Sequence, residues 1–107
     1  VENAGIQWHK RASEIHDLIR GCDPQPGAHT TYKNVTLQLY DSRIGGTEKG
    51  VPGTVLSINK NGVEVATGRG SVIVKRIRPA GGSKMPSLEY ANTYCLRLGD
   101  RLETPQG

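Results

Sequence analysis

The sequence has no phenylalanine, a single tryptophan (Trp8) and four tyrosines, so aromatic residues fill only 5% of its 107 positions. A core built from such a chain must be aliphatic, drawn from Val, Ile and Leu. No apolar run exceeds a few residues, so no transmembrane helix or secretory signal is expected. Cysteine occurs twice, at Cys22 and Cys95, far apart and without C-x-x-C spacing. The two read as free thiols in a reducing, cytoplasmic compartment, with one long-range disulfide as the alternative. Acidic residues are outnumbered, 10 against 14 Lys plus Arg, for a formal charge of +4. That excess suits an anionic partner such as RNA or a polyglutamate chain, and suits equally the plain solubility of a small domain.

What remains is the composition of one small globular domain, 35% hydrophobic and 22% charged, which at this length buries about two-thirds of its unfolded surface. The polar opening at Val1 suggests a segment of a longer protein. Residues 1–10 read as an extended lead-in from an upstream domain, and 11–103 as the domain itself. Ala12, Ile15, Leu18 and Ile19 follow helical spacing, with Glu14, Asp17 and Arg20 on the solvent side. Gly21 is the expected C-terminal cap. Asp23-Pro24-Gln25-Pro26-Gly27 cannot continue a helix.

After Gly27 the pattern is β. Residues 28–32 and 35–42 form a hairpin about Lys33-Asn34, which places Tyr32 opposite Val35 and Thr30 opposite Leu37. Ala28, Tyr32, Val35, Leu37 and Leu39 then share the buried face. His29, Thr31, Thr36, Gln38 and Tyr40 share the exposed one. Residues 45–53 read as a glycine-rich loop, 54–59 and 63–67 as a hairpin about Lys60-Asn61-Gly62, and 71–78 as a strand. Residues 79–86 are expected to be a loop, 87–94 a short helix capped by Ser87, and 96–102 a last strand. Six short strands behind one helix point to a mainly β fold, a small closed or partly closed OB-like barrel.

The chemistry of an enzyme is missing from this pattern. His9, His16 and His29 have no metal-ligand spacing and no cysteine joins them. There is no G-x-S-x-G elbow and no cysteine with a partner base. Gly68-Arg69-Gly70 joins two strands and reads as a tight turn. No residue is assigned a catalytic or metal-binding role. The candidate anion-binding residues are Arg20, Lys75, Arg76, Arg78 and Lys84. They make a phosphate-binding patch if the fold gathers them, and scattered solvated charge if it does not. His29 and Tyr40 are candidate surface contacts, able to stack on a base if exposed.

The segment I-R-G-C-D-P-Q-P-G-A-H-T at 19–30 resembles the I-R-(G/A)-x-(D/N)-x-x-P-G-A-x-T element that opens the C-terminal domain of formyltransferases. P-G-T-V-L at 52–56, G-V-E-V-A-T-G-R-G at 62–70 and L-G-D-R-L at 98–102 resemble later parts of the same template, in order. Trp8, followed by Ala12 and Ile15, is similar to its I-x-W lead into the helix. The likeness covers about residues 6–102. It implies an OB-like barrel that is not itself catalytic, because the family's catalytic Asn, His and Asp belong to an upstream Rossmann-like domain. It also implies a parent enzyme using 10-formyltetrahydrofolate, with no cofactor in this domain. Gly21 and Asp23 lean toward the 10-formyltetrahydrofolate dehydrogenase branch, where the domain positions substrate or a neighbouring domain. The Pro24-Gln25-Pro26-Gly27 pattern leans toward the alternative, a tRNA-binding domain of methionyl-tRNA formyltransferase. His29 replaces the aromatic usual in both branches.

Overall fold

Helix α1 runs from Ala12 to Gly21 and buries Ala12, Ile15 and Ile19, with Leu18 partly covered. The computed structural model describes residues 4–23, 25–46 and 50–105. Pro24 of the two-proline turn and positions 47–49 of the expected glycine-rich loop lie outside the described residues. Gly21 is not the cap: the helix includes it, and Cys22 follows at φ −96°, ψ 0°, its N–H bonded to Leu18 O. Burial of the Cys22 side chain fixes this end, so a left-handed glycine is not required. Cys22 and Cys95 are both free thiols, one buried and one exposed.

The strands are β1 (Ala28–Tyr32), β2 (Val35–Ile44), β3 (Val55–Asn59), β4 (Gly62–Ala66), β5 (Ser71–Pro79) and β6 (Met85–Pro86), followed by helix α2 (Ser87–Tyr94). All pairings between them are antiparallel, in the order β1-β2-β5-β4-β3, with β6 beside β5. The β1–β2 register is the expected one, Thr30 opposite Leu37 and Tyr32 opposite Val35. Lys33 (φ +50°) and Asn34 (φ +66°) both take the left-handed conformation that matches a two-residue turn to strand twist. Val35, at the hairpin tip, is 45% exposed rather than buried. The second hairpin also has a two-residue turn, because Gly62 pairs with Asn59 and belongs to β4.

Four further expectations change. Residues 1–3 of the lead-in lie outside the described residues. Residues 4–7 run beside β1 and 8–10 turn. The segment is part of the core: Ala4, Ile6 and Trp8 are buried, and Ile6 and His29 N–H groups donate to His29 O and Ala4 O. Residues 96–102 are not a strand. Leu98 is 64% exposed, and the chain turns at Gly99 (φ +88°), so the leucine alternation does not track one face. The sixth strand is instead Met85–Pro86, inside the expected loop. Ser87 does not cap α2; its hydroxyl donates to Val74 O at 2.7 Å and ties the helix to β5.

Residues 99–103 act as a strap that joins the two edges of the sheet. On the β3 side, Val55 N–H donates to Asp100 O, Gly99 N–H to Val55 O and Leu102 N–H to Gly53 O. On the β1 side, Thr31 and Glu103 exchange both backbone hydrogen bonds. Edge strands that would otherwise present unpaired amides are thereby covered, which completes a mainly β, OB-like barrel. A buried polar chain crosses the same seam. Trp8 Nε1–H donates to Thr30 Oγ1 at 2.9 Å, and Thr30 Oγ1 donates to Glu103 O at 2.7 Å. Lead-in, first strand and strap are held as one unit.

Candidate nucleic-acid interface

The β1–β2 and β2–β5 registers set His29 opposite Gln38, Gln38 opposite Arg78, and Tyr40 opposite Arg76. Alternation along each strand puts these five side chains on one face. Lys84, from the connection after β5, places its Nζ 4.0 Å from the Tyr40 ring centroid. Arg76, Arg78 and Lys84 are thus gathered by strand pairing and one cation–π contact. Arg78 Nε–H donates to Gly82 O at 3.1 Å, which holds the loop carrying Lys84 against the end of β5. Arg76 pairs with Asp41 at 3.1 Å. Among the described residues, no carboxylate pairs with Arg78 or Lys84.

The other two candidate cations do not join this group. Lys75 is exposed but one position out of phase with Arg76 and Arg78. It sits where burial along β5 changes phase, from Val72 and Val74 to Ile77 and Pro79. Opposite this point Asp41 takes φ +56°. Arg20 lies on α1 and pairs with Asp17 at 3.3 Å.

Tyr40 corrects the sequence reading, since it is only 2% exposed. The turn before β1 folds over it: Gln38 Nε2–H donates to Pro26 O at 2.8 Å, and a Cβ on Gly27 would stand 2.5 Å from the Tyr40 hydroxyl. Glycine at 27 is what allows the tyrosine to lie beneath the turn. With the turn covering it and Lys84 over its ring, Tyr40 supports the basic face and cannot stack on a base. His29 is half-buried, its backbone engaged by the lead-in.

Sequence reasoning missed a second group at the tip of the β1–β2 hairpin. Tyr32 donates to Asp100 Oδ2 at 2.6 Å, and Arg97 N–H donates to the same oxygen at 2.9 Å. On α2, Tyr90 and Tyr94 stack with centroids 4.7 Å apart. Their i, i+4 spacing in an expected helix was the available signal. Burial pushes the Tyr90 hydroxyl up to about 12. Burial, and then the Asp100 hydrogen bond, raise Tyr32 still further. The Tyr32 hydroxyl, followed by the Arg97 amide, holds the Asp100 carboxyl below the usual carboxylate range.

A lowered carboxylate contributes stability above its unfolded value of about 4, lost as pH falls through the folded value. A raised tyrosine contributes stability below about pH 10, lost as pH rises through its folded value. The urea midpoint of the wild-type chain should therefore fall more steeply than that of Tyr32→Phe on acidification from about pH 5 to about pH 2. Parallel acid limbs would show that the Tyr32–Asp100 bond contributes nothing.

Among the described residues, no three of His, Cys, Asp and Glu converge on a metal-sized site, and no helix is long and apolar enough to cross a membrane. The class defined is a small barrel closed by a strap, preceded by one helix, with a basic outer face. A family model described as "Formyl transferase, C-terminal domain" matches residues 1–95, and the chain belongs to this family. The methionyl-tRNA formyltransferase of Trichlorobacter lovleyi is 42% identical over 101 residues, 94% of this chain and 32% of its own length. That of Clostridium beijerinckii is 36% identical over 92 residues, 85% of this chain and 30% of its own length. The chain spans about a third of the length of these curated relatives. Among solved structures, HypX from Aquifex aeolicus in complex with tetrahydrofolic acid matches with a TM-score of 0.78 at 21% identity, covering 91% of this chain and 18% of HypX. At that identity the likeness shows the fold alone.

Proposed function

We propose that this chain is the non-catalytic, RNA-facing domain of a methionyl-tRNA formyltransferase, with Arg76, Arg78 and Lys84 contacting tRNA phosphates. The observation that supports the reading is the placement of these three cations on one face, only Arg76 being paired with a carboxylate among the described residues. The names of the relatives support the same branch. The dehydrogenase reading rests on Gly21 and Asp23. A Cβ on Gly21 would meet nothing within 4 Å, and its φ is not left-handed, so alanine fits there equally well and the glycine discriminates weakly.

On this reading an upstream Rossmann-like domain carries the formyl chemistry and the 10-formyltetrahydrofolate. An open cavity of about 850 Å³ is lined by Arg11, Ser13, Ile44, Thr67, Arg69 and several glycines. The described side chains that line it offer a pterin ring no carboxylate, side-chain amide or imidazole. Incubated with 10-formyltetrahydrofolate and methionyl-tRNA, the 107-residue chain should bind the tRNA and release no formyl-methionyl product. Turnover above the protein-free background would overturn the non-catalytic assignment.

A further inference from the structure

Tyr90 is buried, and Tyr94, stacked on it at an interplanar angle of 23°, is 46% exposed. With Tyr32, Lys33, Val35, Pro79 and Ala80 the pair encloses a cavity of about 180 Å³. Its walls are rings and aliphatic groups, and at its rim Lys33 Nζ lies 5.3 Å from the Tyr32 ring centroid. The nearby carboxylate of Asp100 is already engaged by the Tyr32 hydroxyl and the Arg97 amide. Pro79 and Ala80 directly follow Arg78, but alternation puts Pro79 on the face opposite Arg78, so an RNA reaching both must pass around the end of β5.

We propose that the cavity takes one unpaired base of the RNA held on the basic face, with Tyr94 stacking on the base and Lys33 meeting its adjoining phosphate. The inference rests on the RNA-facing reading above. Tyr94 is held by its own stack, so less side-chain freedom remains to be lost on binding. An aromatic face beside a cation is the combination that holds single-stranded nucleic acid without demanding a particular base. A protein partner fits less well. A stable protein interface needs about 800 Å² from each side, and here only Val35 and Tyr94 are large apolar groups exposed to about half. Such a partner would also cover the Lys33 ammonium, which is costly without a paired charge.

The test uses two short RNA hairpins carrying 2-aminopurine, one with the fluorophore in an unpaired overhang and the other with it base-paired. Bound to the wild-type chain, the unpaired probe should be quenched and the paired probe should not. Tyr94→Leu, which keeps the apolar volume, should lose the quenching and bind the overhang RNA on the order of 10-fold more weakly. Tyr94→Phe should retain both and serves as the folding control. Binding without quenching, or equal affinity of Tyr94→Leu, overturns the base site and leaves the RNA-facing reading intact. Failure of the wild-type chain to bind either RNA at low salt overturns both the base site and the RNA-facing reading.

Discussion

Trp8→Ala is expected to cost this domain about 3–5 kcal/mol, the range for deleting a buried large aromatic. Trp8 is the largest fully buried side chain, 2% exposed, and it belongs to a segment that the sequence presents as a mere lead-in. Its indole N–H donates to Thr30 Oγ1, which in turn donates to Glu103 O. The substitution therefore opens a cavity at the seam where lead-in, first strand and strap meet. A domain of this size has a total stability of about 5–15 kcal/mol, so the loss is a large share of it. Tm should fall by roughly 15–30 °C. Trp8→Phe keeps most of the apolar area but removes the donor, and should cost about 1–2 kcal/mol. Thermal unfolding followed by circular dichroism measures both. A Trp8→Ala chain that melts within a few degrees of wild type would mean that the lead-in is not part of the folded unit.

The second large effect is on binding. Replacing Arg76, Arg78 and Lys84 together by glutamine should weaken tRNA binding on the order of 100-fold at about 0.1 M salt, and flatten the salt dependence by about 2 logarithmic units per decade. The decrement is less than three full phosphate contacts because Asp41 already compensates part of the Arg76 charge. Lys75→Gln and Arg20→Gln serve as contrasts. Lys75 is out of phase with the face, and Arg20 is engaged by Asp17, so each should change affinity by less than about threefold. All five side chains are exposed, so the substitutions should leave Tm nearly unchanged. Equal losses from all five positions would mean that binding reads net charge and not this face.

The parts of this fold that were legible in the sequence are those set by local chemistry. The helix followed from its apolar spacing. The β1–β2 register followed from Lys33-Asn34, because a two-residue turn fixes every pair behind it. The parts that were not legible depend on segments distant in sequence. Tyr40 alternates onto the outer face as expected, and its burial comes from a turn thirteen residues earlier that closes over it at Gly27. The strap at 99–103 resembles a strand in composition, yet its hydrogen bonds go to the β3 side through residue 102 and then to β1 at Glu103, a division that no periodicity records. The five candidate cations were legible as residues, but only the phase of β5, the β2–β5 register and the Lys84 contact with Tyr40 set Arg76, Arg78 and Lys84 apart from Lys75.

The most direct measurement is a salt titration of tRNA binding by the wild-type 107-residue chain, with anisotropy of a labelled tRNA read from about 50 to 300 mM potassium chloride. Three phosphate contacts predict a line in log affinity against log salt with a slope of about −2 to −3. A slope near zero, or no binding at the lowest salt, would contradict the account.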